Sequence, residues 1–539
     1  MNNRITSLAL ALSLGAAAAC AQTATTYEGA AFDKHSPDGH WLVENYQGST
    51  RILNAITGDE YELADANGSE MYSPGLGNSV SNSGRVCGFT MKRAFLWADD
   101  ELSDTALPQP SGVGSSFNGA QGFSADGSRI VGALGSKGAS LTTDGLMCYP
   151  VYWQLTDAGT YAVHTLPYLA KDFAGGTPQS VIAVCVSDDG RTVAGTLVSW
   201  SGRYKFPIVF REGDDGEWTY TLLGKSDVYD ESRTDELPAL PAEPAEPDYS
   251  AYMTADDLAA YEAALEQYQT DLDNYNNGIT TQEPTYPVIA DYISDAAQKA
   301  AYTEAVTQYV SDHQAWEKKW EVYATALDGI TTGATFKQNN LWLSSSGRFL
   351  ATSLDHDGIT TPGYFDLTEA EPVFHRAATG EESMLATGVL NDGTLLAAAP
   401  VVEMTRSTKV IAPGATPVSF HDYLATRSEQ MAQWLEENHT YTVDGQDSIV
   451  SGTVHVGQDG DVFVAYYYDY YGGTGSAMSY VIDFTATDGI SSVAAPSSPA
   501  LDGVYDLSGR RIASSAQNIE RPGLYIVRHE GTVRKQMRR

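Results

Sequence analysis

The chain is short of cysteine, of positive charge and of long apolar runs, and each shortage removes a class of protein. Four of the 539 residues are Cys. Cys87, Cys148 and Cys185 share no metal-type spacing, so they read as small buried hydrophobes, with at most one disulfide and one thiol left over. No metal site is expected from them. Lys and Arg number 32 against 69 Asp and Glu, a formal net charge of −37. That excess argues against nucleic acid and anionic lipid as partners and reads first as charge for solubility. Beyond the first residues no stretch approaches the roughly 20 apolar residues of a membrane-spanning helix, so no transmembrane segment is expected. The ten His make no His-Glu-x-x-His pair, and there is no Gly-x-Ser-x-Gly elbow, phosphate loop or Cys-x-x-Cys. Catalytic and ligand-binding residues therefore stay unassigned, and no cofactor is implied. Asp355-His356-Asp357-Gly358 reads as a hairpin turn, lacking the later acidic ligands of a Ca²⁺ loop.

What is abundant is Gly, at 50 residues, and Tyr, at 32. Together they suit a turn-rich, all-β protein. Residues 1–21 read as a signal peptide: Arg4 supplies the positive start, Ile5 to Leu14 the apolar run, and Ala19-Cys20-Ala21 the small-residue cleavage site. The alternative is a lipid-bearing Cys20 behind Ala17-Ala18-Ala19. Either route leads to an extracellular or outer-membrane surface location.

One phrase recurs seven times, with turn pairs at Asp38-Gly39, Ser83-Gly84, Asp126-Gly127, Asp189-Gly190, Ser346-Gly347, Asp392-Gly393 and Asp459-Gly460. Ser stands two residues ahead in five copies: Ser36, Ser81, Ser124, Ser187 and Ser344. A β-branched run follows, as in Thr192-Val193-Ala194-Gly195. The expected geometry is a two-residue connection with positive φ, opening each unit of the repeat. Successive turns stand 45, 43, 63, 157, 46 and 67 residues apart. The short intervals match one four-stranded propeller blade, and the long one a blade plus an insertion. Short aromatic strands follow several copies: Ala94 to Trp97, Pro150 to Trp153, Pro207 to Phe210 and Gly363 to Phe365.

Asn78 to Gly88 followed by Ala94-Phe95-Leu96-Trp97 resembles the extracellular repeats named for a His-Ala-Phe triplet, with Arg93 where the naming His would stand. The resemblance covers most of residues 27–487. It implies an extracellular propeller layout and no family-wide catalytic set. The expected fold is therefore all-β: a seven-bladed β-propeller, blades 1–4 in 27–224 and blades 5–7 in 336–487.

Residues 225–335 break the β pattern. Glu236 to Pro247 is rich in Pro, Glu and Ala and reads as a stiff spacer. Leu258, Tyr261, Leu265, Tyr268, Leu272 and Tyr275 form one helical seam, with Thr254 and Asp257 as its capping box and Asn277-Gly278 as its stop. Tyr302, Val306, Tyr309, His313, Trp316, Trp320, Tyr323 and Leu327 form a second. The expectation is an antiparallel, coiled-coil-like hairpin with an aromatic interface. It holds 22 Asp and Glu against 5 Lys and Arg, which reads equally as a partner-binding arm or a solvated decoration. Phe420 to about Glu437 reads as a shorter helix packed on the sixth blade.

Residues 488–502 read as a linker. The tail, 503–539, is net positive on an acidic chain. Its phrases Tyr505-Asp506-Leu507-Ser508-Gly509-Arg510, Pro522-Gly523-Leu524-Tyr525-Ile526-Val527 and a final basic strand with Lys535 resemble the C-terminal sorting domain of type IX secretion substrates. That resemblance implies a small β-sandwich-like module read by the secretion machinery, with Tyr505, Asp506, Leu507, Gly509, Arg510, Gly523, Tyr525 and Lys535 as its motif residues. The functional expectation is a secreted or surface binding protein with a glycan or protein ligand, and more a binder than an enzyme. The alternative is a glycan hydrolase or lyase using carboxylates at the propeller mouth. The Tyr466 to Tyr471 run reads as sugar-stacking rings or as packing between blades.

Overall fold

The computed structural model describes residues 22–46, 49–63, 76–89, 94–98, 101–109, 119–135, 148–168, 180–199, 203–276, 280–282, 284–399, 407–443, 446–469, 476–485, 503–505, 511–513, 523–529 and 532–538. They fall into two compact units, one holding Thr23–Phe484 and one the C-terminal strands.

The first unit is a succession of antiparallel sheets. Sheet one runs Lys34–His35, Trp41–Tyr46, Ser49–Asn54, Glu60–Glu62. Sheet two runs Leu76–Val80, Val86–Phe89, Ala94–Ala98, Glu101–Ala106. Sheet three, Gly119–Phe123 through Tyr161–Thr165, and sheet four, Ser180–Val186 through Trp218–Leu222, touch edge to edge through the single parallel pair Cys148 and Ser180. Sheet five splits its first strand into Thr335–Phe336 and Trp342–Leu343, both on Phe349–His356. Sheet six runs from Leu385–Val389 to Val418–Ser419. Sheet seven takes Thr453–Gly457, Val462–Asp469 and Ser476–Asp483, and its fourth strand is the N-terminal Thr23–Glu28. Sequence patterning opened the repeat at residue 27 and missed that strand. Its TATTYE carries no turn phrase, and its partner lies at the other end of the unit.

Every sheet shares an apolar cluster with the next. Trp41 and Ile52 of sheet one meet Phe95 and Trp97 of sheet two. Cys87 and Ala94 meet Ile130 and Trp153 of sheet three. Val131 joins Val193 and Phe206 of sheet four and Leu350 and Phe365 of sheet five. Phe349 meets Ala386 and Leu395 of sheet six, and Leu396 and Val410 meet Val454 and Phe463 of sheet seven. The seventh sheet then packs on the first: Val462, Val464 and Val481 lie against Leu42 and Leu53. Burying one large apolar side chain of this kind contributes about 2–3 kcal/mol, so each interface is substantial. The fold is of β-propeller type.

The recurring phrase joins the first strand of each sheet to the second, and the aromatic runs are the third strands. Its geometry differs from the expected two-residue connection. In the first six copies Gly alone of the turn pair is left-handed, at φ 68–84°, and its N–H closes a four-residue turn, as Gly190 N to Ser187 O at 2.9 Å. In the three copies that hold both Ser and Asp, the Asp keeps ordinary φ and its carboxylate has another task. Ser187 Oγ donates to Asp189 at 2.6 Å and accepts from Thr192 N at 3.0 Å. Ser36 and Ser124 repeat the arrangement, and all five repeat serines are buried. The hydroxyl thus satisfies a strand N–H that a turn would otherwise orphan. Gly84 shows why Gly is needed: a Cβ there would lie 2.4 Å from the Trp41 ring. The seventh turn is irregular, with Gln458 and Asp459 also left-handed. A two-residue turn with both residues left-handed does occur elsewhere, at Asp357-Gly358 between paired His356 and Ile359.

The insertion between sheets four and five carries α1 (Lys225–Val228), α2 (Ala255–Asn276), α3 (Ile289–Tyr292) and α4 (Ala296–Gly329). The capping box forms, with Thr254 N to Asp257 at 3.0 Å and Asp257 N to Thr254 Oγ1 at 3.2 Å. The seams, however, close on the connecting segments. Tyr261 packs on Tyr249 and Tyr292, Tyr302 on Tyr252 and Tyr268 on Tyr286. The Pro-rich stretch is no free spacer, since Trp316 Nε1 donates to Pro241 O at 3.1 Å. The insertion is rooted in the main core: Val228, Tyr229, Ile330 and Ala334 join the cluster of sheets four and five.

Residues 420–438 form two helices, α5 (Phe420–Arg427) and α6 (Glu429–Asn438), where one was expected. Ser428 breaks the run and caps α6 by accepting from Met431 N. Phe420, Leu424, Met431 and Leu435 pack on sheets six and seven. In the second unit the described strands form one sheet, ordered Arg511–Ala513, Gly503–Tyr505, Gly523–His529, Thr532–Arg538, where a sandwich-like module was expected.

Candidate functional site

Strand direction gives the first unit two unlike ends. Each first strand runs toward its Ser-x-Asp-Gly-type turn, so the crossovers from a fourth strand to the next first strand run at the other end. The seven turns form a linked belt. Asp38 N donates to Asn82 Oδ1, Asn82 N to Ala125 O, Arg129 Nη1 to Gly190 O, Asp188 N to Ser345 O, Ser346 N to Asn391 Oδ1, and Asn391 N to Asp459 Oδ1. Gly457 closes the belt against the Pro37 carbonyl, where a Cβ would lie 2.3 Å away. Within the belt, burial and the neighbouring Asp189 and Asp459 push the Asp188 carboxyl up to about 6. Asp188 and Asp459 thus repel one another although turns five and six lie between them in sequence.

Four rings from sheets one, five and seven come together. His35 of sheet one lies 6.2 Å from His455 of sheet seven, between ring centroids. His455 lies 4.7 Å from Trp342 of sheet five and 5.8 Å from Tyr466, nearly parallel to it. Sheets five and seven are separated by sheet six, so a contact between them belongs to the centre. His35 Nδ1 donates to the Ser36 carbonyl at 2.7 Å, and burial holds this imidazole below its usual range, favouring the neutral ring. Tyr466 pairs with Thr453, the strand residue farthest from the turn, and Tyr468 beyond it is exposed. The run of tyrosines thus splits by strand alternation. Tyr467 is buried on the opposite face, and Tyr470 and Tyr471 lie outside the described residues.

A second imidazole site is wholly buried. His439, at the end of α6, lies 2.7 Å from the Tyr467 hydroxyl, which shares a 2.8 Å hydrogen bond with Tyr441, and 3.4 Å from Thr26 Oγ1 of the N-terminal strand. Trp434 and Tyr480 cover the ring. Burial pushes its pKa down to about 4.

Of the sorting-motif residues, Tyr505 pairs with Ile526, Tyr525 with Gln536 and Lys535 with Ile526, and Gly523 opens its strand. Asp506, Leu507, Gly509 and Arg510 lie outside the described residues. Cys87, Cys148 and Cys185 are free thiols. Among the described residues no group of three His, Cys, Asp or Glu is arranged to hold a metal ion, and no helix is long and apolar enough to cross a membrane. The ring column was missed in sequence because His35, Trp342 and His455 share no local pattern.

No protein-family model matches the chain, and no curated protein matches it. Solved structures do. A prolyl endopeptidase is similar at a TM-score of 0.38 and 11% identity, over 95% of this chain and 55% of that one. TolB from Acinetobacter baumannii is similar at 0.30 and 10%, over 72% and 61%, and Porphyromonas gingivalis dipeptidyl peptidase 4 at 0.33 and 11%, over 80% and 48%. The chain thus spans about half to three-fifths of the length of these proteins. Likeness at this level transfers no activity.

Proposed function

We propose that the chain is a secreted, seven-bladed β-propeller binding protein that meets its extracellular ligand at the end opposite the turn belt. The observation that carries this reading is where the chain spends its irregular residues. Both helical insertions, residues 223–334 and 420–452, interrupt fourth-to-first-strand crossovers, and all such crossovers run at that end. Six of the seven turns share one left-handed Gly in the same place, whereas the crossovers at the other end range from short links to the two helical insertions. Connecting segments are where recognition usually sits. There Tyr468 is exposed, with Tyr466 half-buried beneath it. An acidic chain with such rings suits a neutral glycan better than an anionic one. Seven four-stranded sheets that pack in order, with the last on the first, support the blade count. The test is calorimetric titration of residues 22–539 with cellohexaose, laminarihexaose, mannohexaose and chitohexaose. Saturable binding that weakens at least tenfold in Tyr468→Ala supports the reading. Binding unchanged in that variant and lost in Asp188→Asn would move the site to the turn end.

Asp188 favours one second reading, the glycan hydrolase or lyase. A carboxyl raised to about 6 beside two other carboxylates has the protonation of a general acid near neutral pH. Product analysis on the same oligosaccharides decides it, since turnover with a pH limb near 6 that vanishes in Asp188→Asn is required. Export by a type IX-like route rests on the tail's resemblance. Deletion of 503–539 should leave the protein cell-associated, and normal release of the truncated chain would contradict that route.

A further inference from the structure

We propose that removal of the N-terminal leader is the step that lets the ring of sheets close. This rests on the reading of residues 1–21 as a leader cleaved after Ala21. The closing element is the strand Thr23–Glu28, which pairs along its whole length with Ser476–Asp483, from Thr23 opposite Asp483 to Glu28 opposite Met478. The residues after it form a wedge between sheets seven and one. Phe32 N donates to Ser479 Oγ at 2.8 Å, and Ser479 Oγ donates to Ala30 O at 2.9 Å, across 449 positions of sequence. Ala31 N donates to Glu44 at 2.8 Å, and Glu44 is held in turn by Arg51 at 2.8 Å. Ala30 and Phe32 are buried with Leu42, Leu53, Val462, Val464 and Val481. Thr26 also touches His439 behind α6. Without this strand, sheet seven has three strands, a bare edge, and an uncovered apolar seam against sheet one.

Geometry couples that strand to the leader. Only Gln22 separates the expected cleavage bond from Thr23, and two extended residues reach at most about 7 Å. While the leader holds residue 21 at a bilayer, pairing Thr23 with Asp483 requires that edge of the folded unit to sit against the headgroups. A chain of net charge −37 is repelled from an anionic surface. The pairing is also the most non-local in the unit, so the chain must be complete before it can form. Cleavage removes that restraint from the strand. Until then the precursor remains open and exportable, and afterwards the ring locks.

The test compares three full-length proteins on vesicles of phosphatidylethanolamine and phosphatidylglycerol, by hydrogen exchange at the amides of residues 23–28. The first is the chain from Gln22. The second is the precursor with cleavage blocked by Ala21→Arg. The third is that precursor with a 20-residue Gly/Ser spacer before Gln22, long enough to span roughly 25 Å. Strong protection is expected in the first and third and at least tenfold less in the second. Equal protection in the second, or none in the third, overturns the coupling. Sequencing of the exported protein is a separate readout: a mature N-terminus other than Gln22 overturns the leader reading while leaving the strand pairing intact.

Discussion

Acidification should weaken the fold in part through His439. The imidazole is buried among Trp434, Tyr480, Tyr467 and Thr26, and that burial lowers its pKa from 6.5 to about 4. In the unfolded chain it titrates near 6.5. Above that value both states are neutral and the full contribution is present. As pH falls, the unfolded state takes up the proton first, so stability is lost from about 6.5 down to about 4, below which both states carry it. A displacement of that size corresponds to about 3 kcal/mol at most. Carboxylates contribute their own pH dependence, so the informative quantity is a difference. Urea unfolding, followed by Trp fluorescence at pH 7.5, 6, 5 and 4.5, should be run on the protein and on His439→Gln. The variant should lose stability on acidification more gently, the two curves converging by roughly 2–3 kcal/mol between pH 7.5 and 4.5. Parallel curves would refute the claim that His439 is held neutral by burial. Since Thr26 belongs to the closing strand, the protein at pH 4.5 should also exchange the 23–28 amides faster than the variant relative to pH 7.5.

Other outcomes follow from the same contacts. Ser187→Ala removes a buried hydroxyl that serves both Asp189 and Thr192 N and should cost about 1–2 kcal/mol, read as a shifted urea midpoint with unchanged slope. Gly84→Ala places a Cβ against the Trp41 ring at φ 81° and should cost about 2–4 kcal/mol, whereas Gly159→Ala, with open space around it, should cost only its φ strain of about 1–2 kcal/mol. Trp316→Phe deletes the hydrogen bond to Pro241 and should speed proteolytic nicking within 237–248 severalfold while leaving the sheet amides protected.

The turns were legible because backbone geometry dictates residue type there. A left-handed position wants Gly, and a buried strand N–H wants a short hydroxyl, so Ser187, Asp189 and Gly190 announce themselves. The detail that failed, two positive φ values per turn, failed because Asp189 serves the Ser187 hydroxyl instead of bending the chain. The Pro-rich stretch read as a spacer because composition does not reveal that an indole N–H waits on α4 for the Pro241 carbonyl. The helical seams were found, but their partners were not: a 3–4 spacing says that Tyr261 and Tyr302 face something, and the rings they meet are Tyr249, Tyr292 and Tyr252 of the connections. The ring column and the closing strand were invisible for one shared reason. His35, Trp342 and His455 come from three sheets, and Thr25 meets Val481 across nearly the whole unit, so neither leaves a local pattern.

Closure of the seventh sheet by the first strand is the claim on which the blade count, the buried His439 site and the leader coupling all depend. The direct measurement is a cross-link. With Cys87, Cys148 and Cys185 replaced by Ser, Thr25→Cys and Val481→Cys, directly opposite in the register, should form a disulfide on mild oxidation, and peptide mapping should recover residues 25 and 481 joined. Thr25→Cys with Tyr480→Cys, one residue out of register and on the other face, should not. No cross-link in the first pair, or equal yields in both, would contradict the closed ring.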